Sequence, residues 1–310
     1  MTAESLTVGG TARKRRSARE ARKAVEGGIQ VVFLLCGTLA VGFVLLISIY
    51  LILSGLPAIR QIGLADFLFG RVWDPTNATT GAEFGILPFI LTSIYGTAGA
   101  VVLGVPVGLL TAVYLAKIAP PKVAVAIRTA VQLLAGIPSV VYGLVGMIVL
   151  VPAIQRTFSL SSGACLLAAM IVLAIMILPS IINVAENALR AVPKEYEEAS
   201  LALGATKLET YFKVTLPAAG SGVAAAIVLG VGRAIGEAMA IIMVSGNVSN
   251  MPSIFAPVRF LTTGIVSGMG YAQVGSLYHQ ALFSIGLVLF LFIMLINVLL
   301  NVLIKKKGDA

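Results

Sequence analysis

The stretch NVAENALRAVPKEYEEASLALGATKLETYFKVTLPA, residues 183–218, is the most polar passage after the basic start of a chain that is otherwise largely apolar. Within it Pro193 suits the first turn of a helix, where its missing N–H would have no intrahelical partner. Lys194 and then Glu195, Glu197 and Glu198 follow, and the acids sit where the helix dipole favours negative charge. Gly204 supplies a flexible or left-handed position at which that helix can end. A second short helix is expected from Leu208, with Leu208, Tyr211, Phe212 and Thr215 as a mostly apolar stripe, and Leu216-Pro217 marks the start of the next apolar run. Two short helices with an exposed Ala-Leu face form a knob that either rests on a membrane surface or docks a partner.

Outward from the knob the chain is oily. Of 310 residues 58% are hydrophobic and 11% charged, with a mean hydropathy of +1.01. A soluble domain carries about a quarter charged residues, so lipid is the expected solvent for much of this surface. The net charge of +9 does not point to nucleic acid, because the basic residues flank apolar runs: seven between Arg13 and Lys23, three at Lys305, Lys306 and Lys307, and most others at the breaks. Cys36 and Cys165 lie inside apolar runs as small hydrophobes and have no metal-ligand spacing. The single histidine, His279, reads as an interfacial or packing residue.

Six runs, 29–53, 87–115, 124–151, 163–182, 218–245 and 277–304, reach the roughly 20 residues that about 30 Å of hydrocarbon requires. With the amino terminus inside, 17 of the 22 Lys and Arg fall on the inner side and Arg60, Arg71, Arg156 and Arg259 on the outer. That asymmetry places both termini in the cytoplasm. The expected organisation is a basic segment (1–28), a first span with an external segment (29–86), a helical core (87–304) containing the cytoplasmic loop 183–217, and a tail (305–310). In the external segment Trp73 reads as an interfacial anchor, and Asn77-Ala78-Thr79 is a chance-prone glycosylation triplet. Glycines in the second and fifth runs, including Gly104, Gly108, Gly232 and Gly236, suit close helix packing, and Pro106, Pro138 and Pro179 should kink or interrupt their helices.

The fifth run holds two opposite charges, Arg233 and Glu237, at i and i+4, where a continuous helix would put them within pairing reach. An arginine at the centre of a span costs roughly 3 kcal/mol, so the pair should face protein or water. It is either a buried ion pair joining helices or a site where a forked guanidinium meets an oxyanion. Ser139 and Tyr142, near Pro138, offer hydroxyl donors or packing, and Ser245 and Asn247 lie near the outer end of the run.

Glu198-Ala199-Ser200, Gly204 and Val214-x-Leu216-Pro217 resemble the EAA loop of permease subunits in binding-protein-dependent ABC importers, with Ser200 and Val214 as small departures from the pattern. The stretches PVGLLTAVYLAKIA (106–119), GIPSVVYGLVG (136–146) and RAIGEAMA (233–240) are similar to the phosphate-specific PstC family, whose close cousin is PstA. The resemblance implies an all-α polytopic fold of six transmembrane helices, the type I importer (MetI-like) fold, in a bacterial cytoplasmic (inner) membrane. It implies a coupling helix around residues 194–203 seated in a groove of an ATPase, with Lys194, Glu195, Glu197, Glu198, Ala199, Ser200, Leu203, Gly204, Leu216 and Pro217 at that joint. It assigns Arg233 and Glu237 to phosphate movement; from their own positions, Ser139 and Tyr142 by the kink and Ser245 and Asn247 near the outer end of the run are further passage candidates. The implied partners are a PstA-like permease subunit, two ATPase subunits, an extracytoplasmic phosphate-binding protein and membrane lipid, with no nucleic acid.

No G-x-x-x-x-G-K-[ST] loop occurs, so the chain is expected to be non-catalytic and without a cofactor of its own, ATP and Mg being bound by the ATPase subunits. The alternatives are a PstA-like subunit of the same importer and a permease for another oxyanion such as sulfate or molybdate.

Overall fold

The computed structural model describes residues 5–77 and 81–308, with side chains over 26–77, 81–299 and 302. The basic side chains of the 1–28 segment, those of the 305–310 tail, and Ala78 and Thr79 of the glycosylation triplet lie outside the described residues. The chain divides into two units after Leu53. The first is the long helix α1 (Ser5–Ile62) up to Leu53, whose apolar residues are exposed on every side, Phe33 at 72%. A helix that is apolar all round belongs in lipid or inside a larger assembly.

The second unit begins at Ser54 and is helical apart from one strand pair. After α2 (Leu64–Phe69), β1 (Trp73–Asp74) pairs antiparallel with β2 (Glu83–Phe84) and leads into α3 (Leu87–Val113), which ends in a π-helical turn, Tyr114–Ile118. Then come α4 (Pro121–Gly136), α5 (Ser139–Val145), a second π-turn (Gly146–Leu150), α6 (Val151–Thr157) and α7 (Leu166–Ala191). The polar loop contributes α8 (Lys194–Ala202), α9 (Lys207–Thr210), a third π-turn (Tyr211–Thr215) and α10 (Leu216–Ala218). α11 (Gly220–Gly236), α12 (Met239–Val244), α13 (Leu261–Met269) and α14 (Leu277–Gly308) complete the chain.

Among the described residues five stretches are long and apolar enough to cross a bilayer: Glu26–Ile62, Leu87–Ile118, Ser139–Thr157, Leu166–Ala191 and Leu277–Leu299. Gly220–Gly236 is bent by 74° from Lys207–Ala218 of the polar loop, and the count is six when that broken pair is taken as one span. The third run therefore crosses at 139–157 and not at 124–151. Pro138 has no N–H to give, and it holds Ile137 extended (ψ 127°), which separates α4 from α5. Pro106 and Pro179 lie inside α3 and α7 without interrupting them.

The fifth run is not one helix either, because Glu237 is extended (φ −74°, ψ 133°) between α11 and α12. The fourth runs on to Ala191, nine residues past the expected end at 182, so the polar loop starts only at Val192.

The core is built on α7, whose Leu173, Met176, Ile177 and Ile181 are fully enclosed. A Cβ on Gly104 would lie 2.9 Å from Ile177 and one on Gly108 2.8 Å from Ile181, so these glycines let α3 approach α7. A Cβ on Gly232 or Gly236 would meet nothing within 4 Å, so neither glycine serves close packing against another helix of this chain. Trp73 is 7% exposed, wedged among Phe84, Phe89 and Tyr278 with ring centroids 5.5 to 6.1 Å apart. It is a core residue of a buried cluster with Phe67, Phe89 and Leu282, not an interfacial anchor. Residues 245–260 fold back over the start of α7, where the carbonyls of Val244, Ala256 and Ile254 accept from the Cys165, Leu166 and Leu167 amides that no helical turn can satisfy.

Candidate functional site

The polar knob forms as its local chemistry dictates. Pro193 stands at the N-cap position, one residue before the first turn it was expected to occupy, Glu195 and Glu197 lie in that turn, and Gly204 takes the left-handed conformation, φ +88°, just beyond the end of α8. Thr206 and Glu209 close a capping box on α9: the Thr206 hydroxyl accepts from the Glu209 amide (3.3 Å) and the Glu209 carboxylate accepts from the Thr206 amide (3.1 Å). Lys194, Glu195, Glu198, Ala199 and Pro217 are exposed, Leu216 is half-buried, and Leu203 is 90% exposed. Tyr196, Ala199, Ser200, Leu203, Ala205 and Val214 line a shallow apolar depression. Of the expected stripe, Leu208 and Phe212 stay exposed while Thr215 is enclosed. The knob is held from beneath: Ser200 Oγ lies 2.9 Å from Thr210 Oγ1, Thr215 donates to Glu197 (3.2 Å), and Glu197 pairs with Lys117.

The Thr206 amide, then its hydroxyl and Lys213, hold the Glu209 carboxyl below the ordinary glutamate range. A group whose pKa is depressed on folding stabilises the fold above its unfolded pKa, and that contribution is lost as pH falls through the folded value. Acidification through and below the glutamate range is therefore expected to speed hydrogen exchange at the Thr206 amide relative to its intrinsic rate. Glu209→Gln should remove that pH dependence, both read by exchange mass spectrometry.

The expected Arg233–Glu237 ion pair is absent. The break after Gly236 takes Glu237 off the helical face it was expected to share, and each residue has its own partner. Arg233 Nη1 donates to the Ser180 hydroxyl of α7 (3.3 Å). The Glu237 carboxylate accepts from the Ala240 amide at the start of α12 (3.0 Å), while the Glu237 carbonyl accepts from Thr262 (2.7 Å). Among the described residues no carboxylate pairs with Arg233.

The two helix breaks lie close together, since Gly143 of α5 backs onto Ala240 and Met243 of α12. Ser139 opens α5, and the Tyr142 hydroxyl reaches back across the Pro138 break to the Leu134 carbonyl (2.7 Å). Ser245 and Asn247 sit beyond the other end of α12. Ser245 is fully buried, and Asn247 (φ +51°) accepts Arg259 through its carbonyl (2.7 Å) and side-chain oxygen (3.1 Å).

Sequence reasoning missed Glu186, Lys117, Ser180 and Thr262. Glu186 is 5% exposed, and its Oε1 accepts both Arg128 Nε (2.8 Å) and Arg190 Nε (2.9 Å). The i,i+4 spacing of Glu186 and Arg190 was a usable sign that α7 continues into the polar stretch. Nothing in the sequence marked Ser180 or Thr262 apart from other small polar residues.

Residues 104–307 match the family model described as binding-protein-dependent transport system inner membrane component. The chain is 39% identical over 290 residues to a probable ABC transporter permease, YqgH of Bacillus subtilis, covering 91% of this chain and 93% of that one. It is 35% identical over 265 residues to the phosphate transport system permease protein PstC of Pasteurella multocida, covering 78% and 81%. Two solved structures share the fold. One is a bacterial alginate ABC transporter in complex with its alginate pentasaccharide-bound periplasmic protein, with TM-score 0.60, 17% identity, and coverage of 88% of this chain and 94% of that one. The other is the inward-facing MetNI methionine ABC transporter, with TM-score 0.57, 21% identity, and coverage of 72% and 95%. With a mostly helical fold and a family model matching about two thirds of its length, the chain belongs to the binding-protein-dependent transport system inner membrane components, among the PstC-like permeases.

Proposed function

We propose that this chain is a membrane-embedded permease subunit of an ATP-driven, binding-protein-dependent phosphate importer. The observation that carries the cargo is Arg233, a guanidinium within a span that leans on a hydroxyl while its nearest charged neighbour in sequence, Glu237, caps another helix. A positive charge there costs roughly 3 kcal/mol, which a passing anion offsets. The planar fork of arginine suits a tetrahedral oxyanion, to which it donates two parallel hydrogen bonds. Glu237, four residues away across the break, keeps that attraction weak enough for release. Gly232 and Gly236, which meet nothing in this chain, leave the Arg233 end of α11 open to a second permease subunit. Discontinuous helices at the middle of a bundle are where transporters place their substrate.

The remaining machine follows from the family. A PstA-like permease completes the passage, two ATPase subunits bind ATP and Mg and seat on the knob, and an extracytoplasmic phosphate-binding protein delivers the cargo. The excess of basic residues beside the knob and at both ends supports a cytoplasmic position for these segments. The chain itself is non-catalytic. The test is the assembled complex in proteoliposomes with its binding protein. Phosphate should stimulate ATP hydrolysis and enter the lumen, and excess sulfate or molybdate should leave the uptake of labelled phosphate unchanged. Equal competition by sulfate, or no stimulation by phosphate, would reject the assignment.

A further inference from the structure

The last residues of α3 leave one backbone carbonyl exposed to side chains. In the π-turn Tyr114–Ile118 the Ala119 amide donates to Tyr114 (2.8 Å), one residue further back than an α-helix would send it. The Leu115 carbonyl, which an α-helical Ala119 would have used, instead accepts Arg128 Nη2 from α4 (3.2 Å) and Arg190 Nη2 from α7 (3.0 Å). The Nε atoms of the same two guanidiniums converge on Glu186 Oε1. Two arginines, one carboxylate and one carbonyl thus close a ring that ties the π-turn after α3 to the middle of α4 and the last turns of α7. Glu186 is the buried member while the two arginines are partly exposed, so removing either arginine takes one of two partners from a buried carboxylate.

Lys117 belongs to the same π-turn and is gripped from the knob on two sides. Its ammonium pairs with Glu197 of α8, and its carbonyl accepts the Tyr211 hydroxyl (3.3 Å). Glu197 is in turn held by Thr215. On the far side of the ring, Ser180 precedes Glu186 on α7 by six residues, about 9 Å of helix rise, and Ser180 is the hydroxyl that holds Arg233. A displacement of α8 therefore pulls on Lys117, and through the Leu115 carbonyl on the helix that positions Arg233. π-turns occur disproportionately at functional positions.

We infer that the π-turn Tyr114–Ile118 is the receiver through which the knob drives the bundle, with Lys117, Glu197 and Glu186 as positioning residues for transport. The inference rests on the ATP-driven reading above and does not need phosphate to be the cargo.

The experiment compares binding-protein-stimulated with basal ATP hydrolysis in the reconstituted complex for Lys117→Glu, Glu197→Lys and the double charge swap. Arg128→Lys serves as a gentler probe of the ring, since lysine cannot span Glu186 and the Leu115 carbonyl together. Lys117→Glu should lower the stimulation about tenfold with basal hydrolysis and ATPase co-purification retained, Glu197→Lys should lower the stimulation at least as far, and the double swap should restore stimulation above either single variant. Arg128→Lys should lower the stimulation in the same selective way. Full stimulation in the single variants, a double swap as impaired as the singles, or loss of ATPase co-purification by Lys117→Glu would overturn the inference. A wild-type complex that is stimulated by its binding protein but imports no phosphate would reject the cargo alone and leave this test intact.

Discussion

Replacing Arg233 with Gln should lower phosphate uptake about 30- to 1000-fold, the equivalent of about 2–4 kcal/mol, with the assembled complex recovered in unchanged yield. The substitution removes the charge and the fork but keeps a donor for the Ser180 hydroxyl. Removal of a charge that has no carboxylate partner here also lifts a desolvation cost from the span, so assembly should not suffer. Arg233→Lys retains the charge without the parallel donors and should fall between wild type and Gln. Uptake of labelled phosphate and size-exclusion yield, measured on the same preparations, decide the matter. Unchanged uptake in Arg233→Gln would remove this residue from the passage. A parallel fall in yield would make it a structural residue.

Leu203→Asp is expected to release the ATPase. Leu203 stands just past the end of α8 at 90% exposure, beside an apolar depression that it shares with Tyr196, Ala199 and Val214. A large apolar side chain so fully exposed at the edge of a knob has the character of an anchor for a partner's pocket. A carboxylate buried in that pocket without a counter-charge costs at least about 2–4 kcal/mol, which reduces occupancy by about 30-fold or more. Leu203→Ala should weaken the joint less, and deletion of residues 194–203 should abolish it. Retention of the ATPase on affinity-tagged permease reads all three. Full retention in Leu203→Asp would place the ATPase contact elsewhere.

Much of the polar knob was legible in the sequence because its determinants are local. Pro193, the acids after it, Gly204 and Leu216-Pro217 constrain the backbone within a few residues of themselves, and the structure places α8 at Lys194–Ala202 with Gly204 left-handed. The passage was less legible. The same local reasoning extended α11 through Glu237 as a helix and so paired it with Arg233. The break at Glu237 depends on Thr262, 25 residues on, which holds its carbonyl. Span four was likewise stopped too early, since Glu186 and Arg190 looked like loop residues until Arg128 and the Leu115 carbonyl supplied partners.

The sequence by itself determined the solvent of this protein, the number of apolar crossings and the shape of the knob. Hydrophobic run length and backbone-restricting residues act over a few helical turns and need no distant partner. The tertiary structure alone decided where the charges go. Glu186 meets Arg128 across 58 residues and Arg233 meets Ser180 across 53. In a medium that cannot solvate an ion, each charge takes whichever donor or acceptor the packed helices bring closest.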